Sequence, residues 1–191
     1  MFEESRWVSD NIFGIGGNGF VIRENVSPEN IETCNGVATK DEKTGTCALC
    51  VALNDTVFRN DNKPVYYHPN CKCKIKKYNL NDVRLDFPMS KINGYLFKDK
   101  AKRALMESMG YDLSYAEFVY EIIAENAKRK FLSGDYKLGT LNCNGQKINI
   151  VLELKGQKDK KGRLYRFNTG WTVYPKGCLH NNTPFGGWIK G

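Results

Sequence analysis

Beyond residue 90 the hydrophobic positions fall into two periods, one helical and one alternating. Ala101, Leu105, Met106 and Met109 recur at near-helical spacing, so a helix is predicted over Lys98–Met109, stopped by Gly110. Ser114 with Glu117 three residues later has the letters of a capping box. It opens a second predicted helix, whose apolar positions are Phe118, Val119, Ile122, Ile123, Ala127, Phe131 and Leu132. Lys128-Arg-Lys130 would place positive charge at the negative end of its dipole. After Gly134 the period changes to two. Tyr136–Leu141 is a predicted strand, and Asn144-Gly145 is a strong hairpin turn. Ile148, Ile150, Leu152 and Leu154 then alternate along a half-buried strand. A charged loop over 156–162 follows. Tyr165, Phe167, Thr169, Trp171 and Val173 alternate along a third strand, and the turn Pro175-Lys-Gly177 leads to a last one around Cys178–Thr183. Two helices followed by a four-stranded antiparallel meander make an α+β unit.

Before residue 90 the signals are shorter. Val51–Phe58, the polar turn over 60–64 and Val65-Tyr-Tyr67 predict a hairpin. Lys72-Cys-Lys-Ile-Lys-Lys77 predicts an exposed basic strand, and Ser27-Pro28 starts a short helix that Cys34-Asn-Gly36 breaks. Gly14-Ile-Gly-Gly-Asn-Gly19 has the letters of a dinucleotide loop. It lacks the strand before it and the helix after it that would build the anion site, so a flexible loop is expected. Residues 79–89 have no period, and a linker is predicted there. The expected organisation is a module over 1–78, a linker over 79–89 and a basic α+β domain over 90–191.

The predicted hairpin would carry metal-ligand letters at both ends. Cys47-Ala-Leu-Cys50 and His68-Pro-Asn-Cys71-Lys-Cys73 place five ligand-type residues within 27 positions. Two thiols two residues apart can grip one Zn²⁺, and a second turn can close a tetrahedral site. Cys47, Cys50, His68 and Cys71 form the favoured set, with Cys73 as substitute or bystander. The alternatives are disulfides or inert thiols. Seven cysteines, an odd number, argue against a complete disulfide framework. Cys34, Cys143 and Cys178 are expected to be ordinary thiols.

Charge sharpens the division. Residues 1–78 hold 10 Lys/Arg and 10 Asp/Glu, whereas 79–191 hold 19 and 11, so the whole net charge of +8 belongs to the second part. Such a surface suits an acidic partner, and RNA is the expected one. No apolar run approaches the roughly 20 residues of a membrane span. Met1-Phe-Glu-Glu-Ser-Arg-Trp7 lacks a basic stretch followed by an apolar one. A cytoplasmic chain with no membrane partner is expected.

The cysteine motif resembles that of phage minor-capsid and head-morphogenesis proteins of the Mu type, in which His-Pro-Asn-Cys-x-Cys follows a Cys-x-x-Cys pair. The similarity covers about 30 residues and implies a phage-associated context, with the virion as an alternative location to the cytoplasm, in which fused toxin domains also occur. The order of elements in the second part, with the segment Tyr165–Phe185, is similar to ribonuclease toxin domains of the barnase–EndoU–colicin–RelE fold. That resemblance implies a toxin, RNA as substrate and a cognate immunity protein as partner.

Cleaving RNA through its own 2′-hydroxyl needs a base, an acid and cations at the phosphate, but no metal. The chain has two histidines, and His68 is already a predicted zinc ligand. His180 is thus the candidate acid–base group. Arg163, Arg166 and Lys176 are candidate phosphate neutralisers, Thr169 and Thr183 candidate hydrogen-bond donors, and Tyr165 or Trp171 candidate base-stacking rings. Trp171 also fits a core position, and Thr169 and Thr183 suit a strand without any role. The pattern departs from the barnase-like one in lacking a second free histidine, and Glu153 is the only glutamate within the predicted strands.

Overall fold

The structure is a computed structural model that describes residues 20–24, 48–64, 74–142 and 144–189. It is an α+β protein with two sheets. The chain divides into two compact units. One contains the described residues up to Val83 with Leu138–Lys147 and Val173–Cys178, and the other contains Arg84–Lys137, Ile148–Thr172 and the residues from Leu179 onward.

In the first unit, β1 (Phe20–Glu24) is the middle strand of a three-stranded sheet. It pairs antiparallel with β2 (Val57–Arg59), Val21 opposite Phe58, and with β3 (Lys74–Tyr78), Arg23 opposite Ile75. Of the basic strand expected over 72–77, the described residues 74–77 are extended, and their pairing partner β1 was not anticipated. The strand expected over Val51–Phe58 is corrected. Its first half is the helix α1 (Ala48–Leu53), and only Val57–Arg59 is extended. Ala48-Leu-Cys-Val-Ala-Leu53 holds good helix formers beside its single β-branched residue. Asp55 at φ 54° then turns the chain, and Thr56 Oγ1 donates to the Leu53 carbonyl at 2.6 Å. The other arm of the predicted hairpin, Val65–Tyr67, lies outside the described residues, as do the loop at 14–19 and the helix expected at Ser27.

The second sheet is mixed and has five strands, in the order β4-β8-β7-β6-β5. These are β4 (Arg84–Asp86), β5 (Lys137–Asn142), β6 (Gly145–Lys155), β7 (Leu164–Tyr174) and β8 (Cys178–Thr183). Strands occur at the four predicted positions, but the expected four-stranded antiparallel meander is corrected to a mixed five-stranded sheet. The fifth, β4, lies within residues 79–89, where a linker was expected. Three residues are too few to display alternation, so only pairing with β8 reveals this strand.

The second unit contains a π-helical segment (Lys91–Leu96), α2 (Lys100–Ser108) and α3 (Ala116–Ser133). Asp99 caps α2 by accepting from the Lys102 amide at 2.9 Å. α3 buries Val119, Ile123, Ala127 and Phe131, an i,i+4 stripe, and leaves Phe118 exposed. Gly134, left-handed at φ 77°, ends the helix. The capping box predicted at Ser114 and Glu117 is absent. Asp112 precedes Ser114 and takes both its amide, at 2.9 Å, and its hydroxyl, at 2.5 Å, over a 3₁₀ turn at Leu113–Tyr115. The nearer carboxylate wins the local donors.

The core of this unit lies between α3 and one sheet face. β6 contributes Ile148, Ile150, Leu152 and Leu154, and β7 contributes Phe167 and Trp171. Phe87, just after β4, stacks on Tyr120 of α3 at 4.9 Å and meets Trp171 edge-on at 5.7 Å. The Trp171 Nε1 donates to Thr169 Oγ1, and that hydroxyl donates to the Ile150 carbonyl, each at 2.8 Å. Two buried polar groups are thereby satisfied within one strand pair.

Candidate functional site

Alternation that buries one sheet face leaves the other open. Along β6 the intervening side chains Asn149, Glu153 and Lys155 are exposed, and along β7 Arg166 is exposed while Asn168 and Gly170 are half-buried. On β8 His180 is half-buried between buried Leu179 and Asn181, and Asn182 after them is exposed. No helix is long and apolar enough to cross a membrane among the described residues.

The His180 imidazole is fixed on this side of β8. Its Nδ1 lies 2.6 Å from Oδ2 of Asp86 on β4, with side-chain exposures of 32% and 55%. A carboxylate at that distance accepts the Nδ1–H and places the lone pair of the neutral ring on Nε2. Two residues along the strand, Asn182 Nδ2 donates to Thr172 Oγ1 at 2.8 Å. Lys91, from the π-helical segment, donates through Nζ to the Asn182 main-chain carbonyl at 3.1 Å. An imidazole oriented by a carboxylate, a neighbouring ammonium and an amide–hydroxyl pair therefore cluster around the His180–Asn182 stretch. Such a set can move a proton and hold an anion.

The other candidates scatter. Thr169 is fully buried, with its hydroxyl committed to Trp171 and Ile150, so it cannot donate to a substrate. Trp171 is 0% exposed and cannot stack on a base. Thr183 is half-buried and donates to the Phe185 carbonyl at 3.1 Å. Arg166 is paired with Glu153 at 3.1 Å. Arg163 and Lys176 are both exposed, but they flank opposite ends of the 11-residue β7. The set predicted around one phosphate is not assembled as one cluster. Asp86, which contacts His180, and Lys91, Thr172 and Asn182, which meet one another two residues along the strand, were not singled out in the sequence. Asp86 and Lys91 are 94 and 89 positions away from His180, and no spacing rule connects them.

Of the predicted zinc ligands, Cys47, His68, Cys71 and Cys73 lie outside the described residues. Cys50 is buried in α1 and Cys178 is buried at the start of β8, neither of them in a disulfide. Cys50 lies in the first turn of α1. Among the described residues, no group of three or more His, Cys, Asp or Glu side chains is placed to hold a metal ion. Compared with known proteins, the chain matches no family model, no curated protein and no solved structure.

Proposed function

We propose that this is a phage-associated or polymorphic toxin-like protein whose basic second part cleaves RNA without a metal in the reaction. The observation that carries the proposal is the His180–Asp86 pair on the open sheet face, because orienting an imidazole through Nδ1 prepares Nε2 for proton transfer. Nε2 takes the proton of the ribose 2′-hydroxyl. The 2′-oxygen then bonds to phosphorus, the bond from phosphorus to the 5′-oxygen breaks, and a 2′,3′-cyclic phosphate forms. The departing 5′-oxygen takes a proton, delivered from the imidazolium through water. Lys91, held beside Asn182, balances charge on the phosphate. The net charge of +8 supports the choice of RNA.

The fold resemblance to ribonuclease toxins, a cognate immunity protein or phage partner, and residence in the cytoplasm of a producing or target cell belong to the same proposal. So does a structural zinc held by Cys47, Cys50, His68 and Cys71, with Cys73 as the exchangeable ligand. When bound, that zinc would cross-link two segments and contribute to folding rather than to catalysis.

A second reading is favoured by one observation. Arg163 and Lys176 are apart, and Arg166 is occupied by Glu153, so the face can bind nucleic acid or a protein partner without chemistry. Incubating the purified chain with total RNA in EDTA separates the two. RNA cleaved by the wild type and spared by His180→Ala supports catalysis. Intact RNA bound by both proteins supports a binding protein.

A further inference from the structure

Trp188 is 39% exposed, a large apolar surface left at the end of the second unit. Its main chain is pinned along β7. Trp188 bridges to Phe167, the Ile189 amide donates to the Arg166 carbonyl at 3.0 Å, and the Asn168 amide donates to the Gly187 carbonyl at 2.9 Å. The indole is held from behind as well. Phe185 meets it edge-on at 5.0 Å and Phe167 does so at 6.5 Å. Tyr165 flanks it at 5.9 Å with the planes tilted by 44°.

The surroundings of this step are cationic. Lys102 of α2 lies 5.1 Å from the centre of the Phe185 ring and 5.6 Å from that of Tyr95. Arg163, two positions before Tyr165 and so on the same side of the strand, is exposed. An exposed indole beside a tyrosine, with the Lys102 ammonium over the adjoining Phe185 ring, fits a ligand with a flat apolar face and a nearby anion. A nucleobase carried on its own phosphodiester has both features, and stacking requires no particular base.

We infer that Trp188 and Tyr165 form a base-stacking step for single-stranded RNA. The inference rests on the RNA reading above but concerns a different group of residues. Trp188 joins the core face beside Phe167, whereas His180 lies on the open face. The step therefore governs binding and not proton transfer.

The test uses two probes of equal length with the full chain: a 2′-O-methyl oligoadenylate, which cannot be cleaved through its 2′-oxygen, and an abasic oligomer of the same backbone. Trp188→Ala should weaken binding of oligoadenylate by roughly tenfold to a hundredfold, the range expected for one lost stack. It should leave the abasic probe nearly unchanged, and Trp188→Phe should restore most of the affinity. Because the alanine variant can also loosen the aromatic cluster, the intact fold supplies an independent readout. In a Trp7→Phe background, oligoadenylate should quench the tryptophan emission and the abasic probe should not, since Trp171 is fully buried. Equal loss on both probes, or emission unaffected by saturating oligoadenylate, overturns the stacking step and leaves the RNA reading standing. A wild-type chain that binds neither probe at low salt overturns both.

Discussion

At the residue scale, the same strand pair holds a core group and a candidate catalytic group, and substitution should separate them. Trp171 fills the core at 0% exposure, so Trp171→Ala should cost about 3–5 kcal/mol in a denaturant titration and any activity would fall with the fold. His180 is half-buried beside Asp86, and His180→Ala should keep the cooperative unfolding transition while lowering RNA cleavage by about 10²–10⁴-fold. Asp86→Asn should lower the rate with little change in RNA affinity, because it alters the orientation of the imidazole rather than the charge at the phosphate. Full cleavage by His180→Ala would move the chemistry away from this pair. A separate signature belongs to Asp112. The hydrogen bond from Lys158, at 2.5 Å, and those from Ser114 hold its carboxyl well below the usual value, at about 2. A carboxyl depressed on folding stabilises the native state above its unfolded value near 3.8, and that contribution is lost as pH falls toward 2. Thermal unfolding followed from pH 5 to 2 should therefore show a smaller acid decline in Asp112→Asn than in the wild type.

At the element scale, connections decide more than the helices and strands themselves. Gly110 sits at φ 86°, and a Cβ there would overlap the Gln157 carbonyl oxygen. The Gln157 amide donates to the Met109 carbonyl at 2.8 Å, so the loop after β6 is docked on the end of α2. Gly110→Ala must strain this backbone or break the contact, and should destabilise the chain by about 1–3 kcal/mol, measurable as a shifted denaturation midpoint. The stripe on α3 and the alternation on β6 and β7 were legible because a side chain's burial follows its period along an element. The cap at Asp112 was not, because two oxygens competed for the same amide and hydroxyl. The strand β4 was not legible either, since its three residues carry no pattern and its partner β8 is more than 90 positions away.

At the scale of the whole molecule, charge and metal make independent predictions. If the basic second part binds RNA, released counterions should make affinity fall steeply with salt, and the slope of log affinity against log salt counts the phosphates neutralised. A slope near zero would remove RNA as the partner. If the cysteine motif holds zinc, elemental analysis should find about one zinc per chain, and chelation should lower the thermal midpoint without abolishing an RNA cleavage that proceeds in EDTA. Metal-free protein with a disulfide at Cys47–Cys50 or Cys71–Cys73 would contradict that.

The sequence by itself determined what depends on neighbours along the chain. The buried stripe of Val119, Ile123, Ala127 and Phe131, the alternation from Ile148 to Val173 and the concentration of charge after residue 78 all follow from local order. Cys47-x-x-Cys50 is equally local, as a pattern of potential ligands. Only the tertiary structure decided which surfaces those elements share. It turned residues 51–53 from expected strand into helix, brought a strand from the expected linker to β8, and placed Asp86 against His180. It also buried Thr169 with its hydroxyl committed to Trp171. The physical reason is that pairing and side-chain contact are set by distance in space. Burial, by contrast, repeats with the period of the element and can be read one residue after another.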